Sequence, residues 1–442
     1  MPIKDDLPEL SLFPMTAEAD NRGHLHIGGC DVIALAGEYG TPVYIFDEFT
    51  LRCKCQEFNT EFTNRYSNTL VVYASKAFLN RSLAILLNEE GLGLDVVSGG
   101  ELSIAQSVAF PPDRVYFHGN NKSFDELSLA LDWGVERIVV DNFHEMHLLD
   151  RLAGERGMCQ DILLRLTPGV DPHTHRHTTT GTLDSKFGFT LANGQAEAAV
   201  TWAMAASNIA LLGFHFHLGS PVPDGKPYQV ATELVLHFAK EMKNKYGFHL
   251  EEFSCGGGFA VRYTLDSQVP SVAEYAEDIV SKLVAVADEL GLACPRLIVE
   301  PGRGIVGQAG VALYTVGSVK EIPGVRKYVC VDGGMGDNIR PALYEAVYEP
   351  LVANKVADGE SETVTIAGRY CESGDILVEN ATLALVSPGD VIAMPVGGAY
   401  SIPMANNYNM VPRPAILMIK DGTARLIRRR ESYQDLMSLD IV

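Results

Sequence analysis

The chain has 442 residues, 35 of them basic and 56 acidic, giving a formal net charge of −21, and 47% are apolar. That composition suits about two or three globular domains, and it excludes a nucleic-acid partner or an anionic membrane surface, both of which need basic stripes. No apolar run is long enough to span a bilayer. MPIKDDLPEL lacks the apolar stretch of a secretion signal, and the eight cysteines show no CxxC pair and no dense framework, so a reduced, cytoplasmic protein is expected.

In chain order, Pro42-Val43-Tyr44-Ile45-Phe46 is the first strand-like run. Strand-like runs then recur at 70–75, 94–98, 115–118, 137–141, 162–167, 211–217, 250–255 and 297–300. Between most of them lie stretches of helical apolar spacing: 78–90, 100–109, 124–134, 143–156, 228–245 and 271–290. Eight β/α units in series predict a (β/α)8 TIM barrel, with an open doubly wound sheet as the alternative, since strand order is not visible in a sequence. After residue 308 strands follow one another without helices, at 311–321, 327–332, 362–368, 381–386, 391–394 and 415–419, separated by turns such as Pro388-Gly389-Asp390. The expected organisation is therefore a barrel over 49–308 and an all-β domain over 309–442, with the segment 1–48 contributing to the β domain.

Barrel chemistry gathers at the C-terminal strand ends. The first strand ends at Lys76, where burial among Ala74, Ala77 and Phe78 would leave a nucleophilic amine; a snorkelling surface lysine fits the same residues. The second carries Asp95 and Ser98, the third ends at His118, the fourth at Asp141-Asn142, and the fifth carries Arg165. The sixth carries His215 and His217 on one face, a pair that could be metal ligands, although no third and fourth ligand follow from the spacing and no metal is expected. His173, His175 and His177 read as a solvated loop. The seventh strand ends in Gly256-Gly257-Gly258, whose amides can surround a phosphate, although a plain tight turn fits the same residues, and the eighth in Glu300-Pro301-Gly302-Arg303. A lysine, a histidine, a glycine cradle, a carboxylate and an arginine together suit pyridoxal 5′-phosphate, which explains the lysine and the glycines as a metal does not.

The ordered set YASKAF (73–78), GLDVVSGGEL (93–102), FHGNNKS (117–123), RLTPGVDPHTH (165–175), DSKFGF (184–189), HFHLGS (215–220), CGGGF (255–259), EPGRG (300–304), DNIRPALY (337–344), CESGD (371–375), GAY (398–400) and NNYN (406–409) resembles the alanine-racemase-like, fold-type III pyridoxal phosphate enzymes, and among them the diaminopimelate decarboxylases. The resemblance runs over about residues 10–440. It implies that Lys76 forms the Schiff base, that His217 stacks on the cofactor ring, and that Glu300 pairs with its nitrogen. Asp95, Ser220, Gly256, Gly257, Gly258, Pro301, Gly302, Arg303 and Tyr400 complete the implied cofactor set. Arg303, Arg340, Tyr344 and Tyr400 match substrate-binding positions, Glu372 the partner of a distal ammonium, and Cys371 the proton donor. Related enzymes are head-to-tail dimers, so a homodimer sharing its active sites is expected, with Cys371 and Glu372 serving the neighbouring subunit.

The chemistry is coherent without the family. Losing CO2 from an amino acid leaves a carbanion that a positioned acid must protonate, which a thiol can do; taken alone, Cys371 reads instead as a small buried apolar residue. An arginine fork suits a distal carboxylate, so Arg340 with Glu372 favours meso-diaminopimelate over simple diamine precursors, and L-lysine would be the product. Decarboxylation of carboxynorspermidine or a basic amino acid, racemisation, and non-catalytic cofactor binding remain the alternatives. The sequence departs from the family after GAY, where Ser401-Ile402-Pro403-Met404-Ala405 reshapes the expected pocket rim.

Overall fold

The computed structural model describes residues 7–171, 180–181, 184–356 and 359–441. His173, His175 and His177 lie outside them. The chain divides into two compact units, one of residues 55–260 with 269–302, the other of residues up to 54 with 261–268 and 303 onward.

The first unit is a closed barrel of eight parallel strands: Thr69–Ala74, Gly93–Val96, Val115–Phe117, Arg137–Val140, Gln160–Thr167, Ile209–His215, Glu252–Ser254 and Arg296–Val299. The last pairs with the first, Leu297 opposite Thr69 and Val299 opposite Val71, and this closing pair excludes the open sheet. Sequence patterning places these strands to within about two residues. Val72, Tyr116, Val139, Leu163 and Ile298, each at most 1% exposed, pack together from five of the strands into one buried layer.

The βα turns owe their sharpness to side-chain caps. Asn80, Ser98, Ser123, Asn142 and Ser271 each accept an N–H from the first turn of the helix that follows, and Ser123 with Glu126 and Ser271 with Glu274 form complete capping boxes. The helix Gln195–Ala205 escapes sequence patterning because its alanines, valine, tryptophan and methionine leave no polar stripe to set a helical period. At the N-terminal ends of the strands, Arg137 grips Glu252 through two hydrogen bonds of 3.0 and 2.9 Å, with the Tyr116 hydroxyl 3.3 Å away and Arg296 at 3.4 Å. This buried ion cluster closes one mouth of the barrel and leaves the chemistry to the other.

The second unit is all-β at its centre. The long strand Gly310–Ile322 pairs antiparallel with Val43–Asp47, Val391–Met394 and Arg326–Val331. Val43–Asp47 lies in turn parallel to Ala415–Lys420, Tyr44 facing Ile416. All five of its residues are buried, which is why it reads as an unbroken apolar run rather than an alternating one. Val43, Ile45, Val311, Leu313, Leu417 and Ile419 belong to one core cluster with Leu25 and Ile27 of a small N-terminal sheet. Among the described residues no helix is long and apolar enough to cross a membrane.

Candidate active site

On the barrel, Lys76 stands in the single 3-10 turn Ser75–Ala77 that ends the first strand. Its neighbours Ser75 and Ala77 are buried but Lys76 is exposed, so burial does not supply the activation anticipated from its flanking residues. Its charge lies close enough to act on Asp95 and His217. The eighth strand's turn packs beside it: Pro301 carbonyl accepts the Ala74 N–H at 3.1 Å, and a side chain at Gly302 would press on Ala77 and Ala74 at 3.0 and 3.1 Å.

Glu300 is the electrostatic centre of this end. Its carboxylate takes the Ser254 hydroxyl at 2.7 Å and His215 Nε2 at 3.2 Å, with His118 Nε2 at 3.6 Å. Burial works against its ionisation, but the two imidazoles and the serine outweigh it and hold Glu300 well below the ordinary carboxylate range. Asp95 is driven the opposite way, far above that range, by burial and by the Glu300 charge. Burial likewise drives His118, His215 and His217 down against the pull of the Glu300 charge, and His217, which lies well below its ordinary value, is neutral at pH 7.

The two histidines of the sixth strand do not converge on one point. His215 turns to Glu300, whereas His217 Nδ1 accepts the Gly257 N–H at 3.2 Å, which places the His217 proton on Nε2. The group that could hold a metal is instead His118, His215 and Glu300, all buried. A second group, Asp20, His26 and Asp31, already has its cation, because Arg22 bonds both carboxylates at 2.7 and 2.9 Å.

Whether pyridoxal phosphate suits this end is answered by its orphaned atoms. Ser75 Oγ, Asp95 Oδ1 and His118 Nε2 are buried with no hydrogen-bond partner among the described residues, the last two 3.7 Å apart beside Glu300. Left so, each costs about 1–3 kcal/mol, and a polar ring arriving there would relieve it. The glycine cradle is as tight as a phosphate loop demands. A Cβ on Gly257 would lie 2.1 Å from the Glu300 carbonyl, and one on Gly256 2.5 Å from that of Phe216. The three amides are not equivalent, however: Gly256 N–H goes to Ser254 Oγ at 3.2 Å and Gly257 N–H to His217, while Gly258 N–H has no acceptor among the described residues and is the donor left for an anion. Ser220 lies half-buried three residues beyond His217. The residues present fit the cofactor.

Sequence patterning marked Arg165 and His118 at strand ends without giving them a role. Arg165 is buried, with its guanidinium 4.3 Å above the Phe187 ring and Nε 3.8 Å from Asp141, and its charge acts on Asp95, Glu300 and His217.

On the β unit, Arg303 opens the short helix Arg303–Val306 and donates from Nη1 to the Tyr263 hydroxyl at 2.6 Å, its guanidinium 4.8 Å over Tyr400. Tyr400 has φ +61°, a left-handed backbone that costs about 1–2 kcal/mol for a residue with a Cβ. Arg340 is buried, lies 4.6 Å over the Tyr263 ring and donates to the Tyr348 hydroxyl. Tyr344 is half-buried, its hydroxyl 4.0 Å from Met404 Sδ, so the unusual segment after GAY reaches a residue of the expected substrate set. No sequence pattern pointed to Tyr263 or Tyr348.

Cys371 and Glu372 are exposed, which overturns the reading of Cys371 as a buried apolar residue. Asp375, itself buried, pins their loop by accepting the N–H groups of Met335 and Tyr370 at 2.6 and 2.8 Å, and Asn409 accepts the Cys371 N–H at 2.8 Å. Asp337, two residues into the same connection as Met335, takes hydrogen bonds from Tyr314, Gly334 and Tyr44, yet burial pushes it up to about 6. A raised folded-state value means that the neutral acid stabilises the fold below about pH 4 and that this is lost as pH rises through 6. The Asp337→Asn protein should therefore gain on the wild type by about 2 kcal/mol between pH 4 and pH 7, read as the pH-dependent difference in unfolding free energy. A difference independent of pH would show that Asp337 titrates normally.

With this geometry in hand, residues 50–307 match the family model described as the pyridoxal-binding domain of pyridoxal-dependent decarboxylases. Diaminopimelate decarboxylase of Bacillus subtilis (strain 168) is 47% identical over 426 residues, 96% of this chain and 97% of the relative. The chain belongs to the diaminopimelate decarboxylase family. The Mycobacterium tuberculosis (strain H37Rv) member is 40% identical over 98% of both chains. A diaminopimelate decarboxylase from M. jannaschii, crystallised with L-lysine, superposes with a TM-score of 0.91 at 35% identity over 99% of both chains. The protein is accordingly a pyridoxal phosphate-dependent carboxy-lyase acting on an amino-acid substrate, with the barrel and separate β region that its sequence announced.

Proposed function

We propose that this protein removes CO2 from meso-2,6-diaminopimelate and releases L-lysine, the last step of lysine biosynthesis, as a cytoplasmic homodimer. The observation that carries the substrate is Arg340. It is a guanidinium only 6% exposed whose partners are the hydroxyl of Tyr348 and the ring of Tyr263, with no carboxylate paired to it among the described residues. A buried cation left without an acid is ready for a ligand's carboxylate, and a simple diamine precursor has none to offer it at its distal end.

Pyridoxal phosphate, when bound, supplies a cationic ring that accepts the electron pair left on carbon as CO2 departs. Lys76 would hold it covalently, with Gly258 N–H and Ser220 on its phosphate, and Arg303 and Tyr400 belong to the cofactor set that the resemblance implies. Glu300, kept ionised by His215 and Ser254, would hold a proton on the ring nitrogen, and neutral His217 would cover one ring face without adding charge. Arg303, Arg340 and Tyr344 would orient the carboxylates, and Glu372 would hold the distal ammonium. Cys371 would then deliver a proton to the substrate carbon, from an exposed loop suited to serving the partner subunit.

The experiment is CO2 release by the cofactor-loaded protein from meso-diaminopimelate, its LL isomer, L-lysine, L-ornithine, L-arginine and carboxynorspermidine. Release from the meso isomer alone, with L-lysine appearing, is expected. Preference for another member would keep the cofactor chemistry and overturn the reading of Arg340 and Glu372.

A further inference from the structure

The stretch 261–268 leaves the barrel between the seventh strand and the helix Val272–Leu290 and belongs to the β unit. Its apolar residues Val261, Tyr263 and Leu265 pack against the β-unit core, and Leu265 N–H is fixed by Glu349 at 3.1 Å. What it delivers there is Tyr263. The Tyr263 hydroxyl accepts from Arg303 at 2.6 Å while its ring face carries the Arg340 guanidinium, and Tyr348 meets the same ring edge-on at 5.5 Å while accepting from Arg340.

We infer that Tyr263 is a positioning residue that spaces Arg303 and Arg340 into a two-guanidinium clamp for the substrate's distal carboxylate. Two cations brought together repel, and free side chains of this length would splay toward water. One aromatic residue answers both difficulties, its oxygen engaging the first guanidinium and its π face the second. The two arginines together pull the Tyr263 phenol below its ordinary value in spite of burial, a measure of how positive the spot is. Tyr263 need not touch the substrate; it acts through the arginines.

This inference rests on the reading that Arg340 receives a carboxylate, and the test separates the two. In meso-diaminopimelate the product L-lysine retains the distal carboxylate and the distal ammonium, whereas cadaverine keeps the ammonium alone. Inhibition constants for both are measured on the holoenzyme of the wild type, Tyr263→Phe and Arg340→Met, together with KM and kcat for the substrate. Tyr263→Phe keeps the ring beneath Arg340 and removes only the hydroxyl. It should raise KM and the L-lysine constant about tenfold, leave cadaverine within about twofold, and hold kcat within about threefold. Equal weakening of L-lysine and cadaverine, as a general structural defect produces, overturns the proposal, and so does no change in either. If Arg340→Met leaves L-lysine binding untouched, the carboxylate reading itself fails; if it weakens L-lysine where Tyr263→Phe does not, only the role of Tyr263 falls. Tyr263→Leu, which also removes the ring face, should weaken L-lysine further than Tyr263→Phe.

Discussion

Replacing Lys76 by alanine is expected to lower turnover by more than about a thousandfold and to remove the covalent hold on the cofactor. The second readout does not depend on activity. Borohydride reduction of the wild type should fix the cofactor to the chain, visible as added mass on the peptide containing Lys76, and Lys76→Ala should show none. Among the described residues no other lysine stands at a C-terminal strand end beside the Glu300 turn. Lys122 is committed, its ammonium bound to Glu145 at 2.7 Å and to the carbonyls of Gly119 and Val139. Added mass on another peptide of the variant would sink the assignment of Lys76. The substitution also deletes a positive charge that acts on Asp95 and His217, so His217 should titrate higher in the variant.

Cys371→Ala should cut turnover by about a hundredfold to ten-thousandfold, the usual worth of a positioned acid, with the cofactor still bound. The loop should survive the change, because it is held by Asp375 and Asn409 through backbone N–H groups and not by the thiol. The same variant tests the shared active site. If Cys371 serves the partner's cofactor, mixed dimers of Lys76→Ala and Cys371→Ala contain one complete site each, and an equal mixture should recover about a quarter of wild-type activity. Recovery of none, with mixed dimers demonstrably formed, would place Cys371 at its own subunit's cofactor.

How much of this was legible in the sequence depends on whether a residue announces itself locally. The barrel did so, because most of its strands are short apolar runs and five of the helices that follow open on a Ser or Asn cap such as Ser123 with Glu126. Lys76, the triple glycine and Glu300-Pro301-Gly302-Arg303 were visible as polar or flexible residues where apolar strands stop. What their patterns could not carry was the division of labour among neighbours. Nothing adjacent to Gly256 and Gly257 says that their amides are spent on Ser254 and His217, for those partners lie 2 and 40 residues away. Tyr263 was silent for the same reason: its meaning comes from two arginines distant in sequence, and an aromatic after a glycine turn ordinarily signals packing. Lys76 misled in one respect, since its apolar neighbours are buried while its own side chain is not.

The sheet of the β unit also sets a timetable for synthesis. Val43–Asp47 is made early, yet its neighbours on both sides are the strands beginning at Gly310 and at Ala415. At ordinary elongation rates of about 5–20 residues per second, it waits roughly 20–75 seconds for the second of them. The barrel, drawn almost wholly from residues 55–302, has all its strands long before that. A nascent chain therefore passes through a stage in which every barrel strand has been made while Val43–Asp47 has at most one of its two neighbours, and its open apolar edge is then exposed to off-pathway pairing.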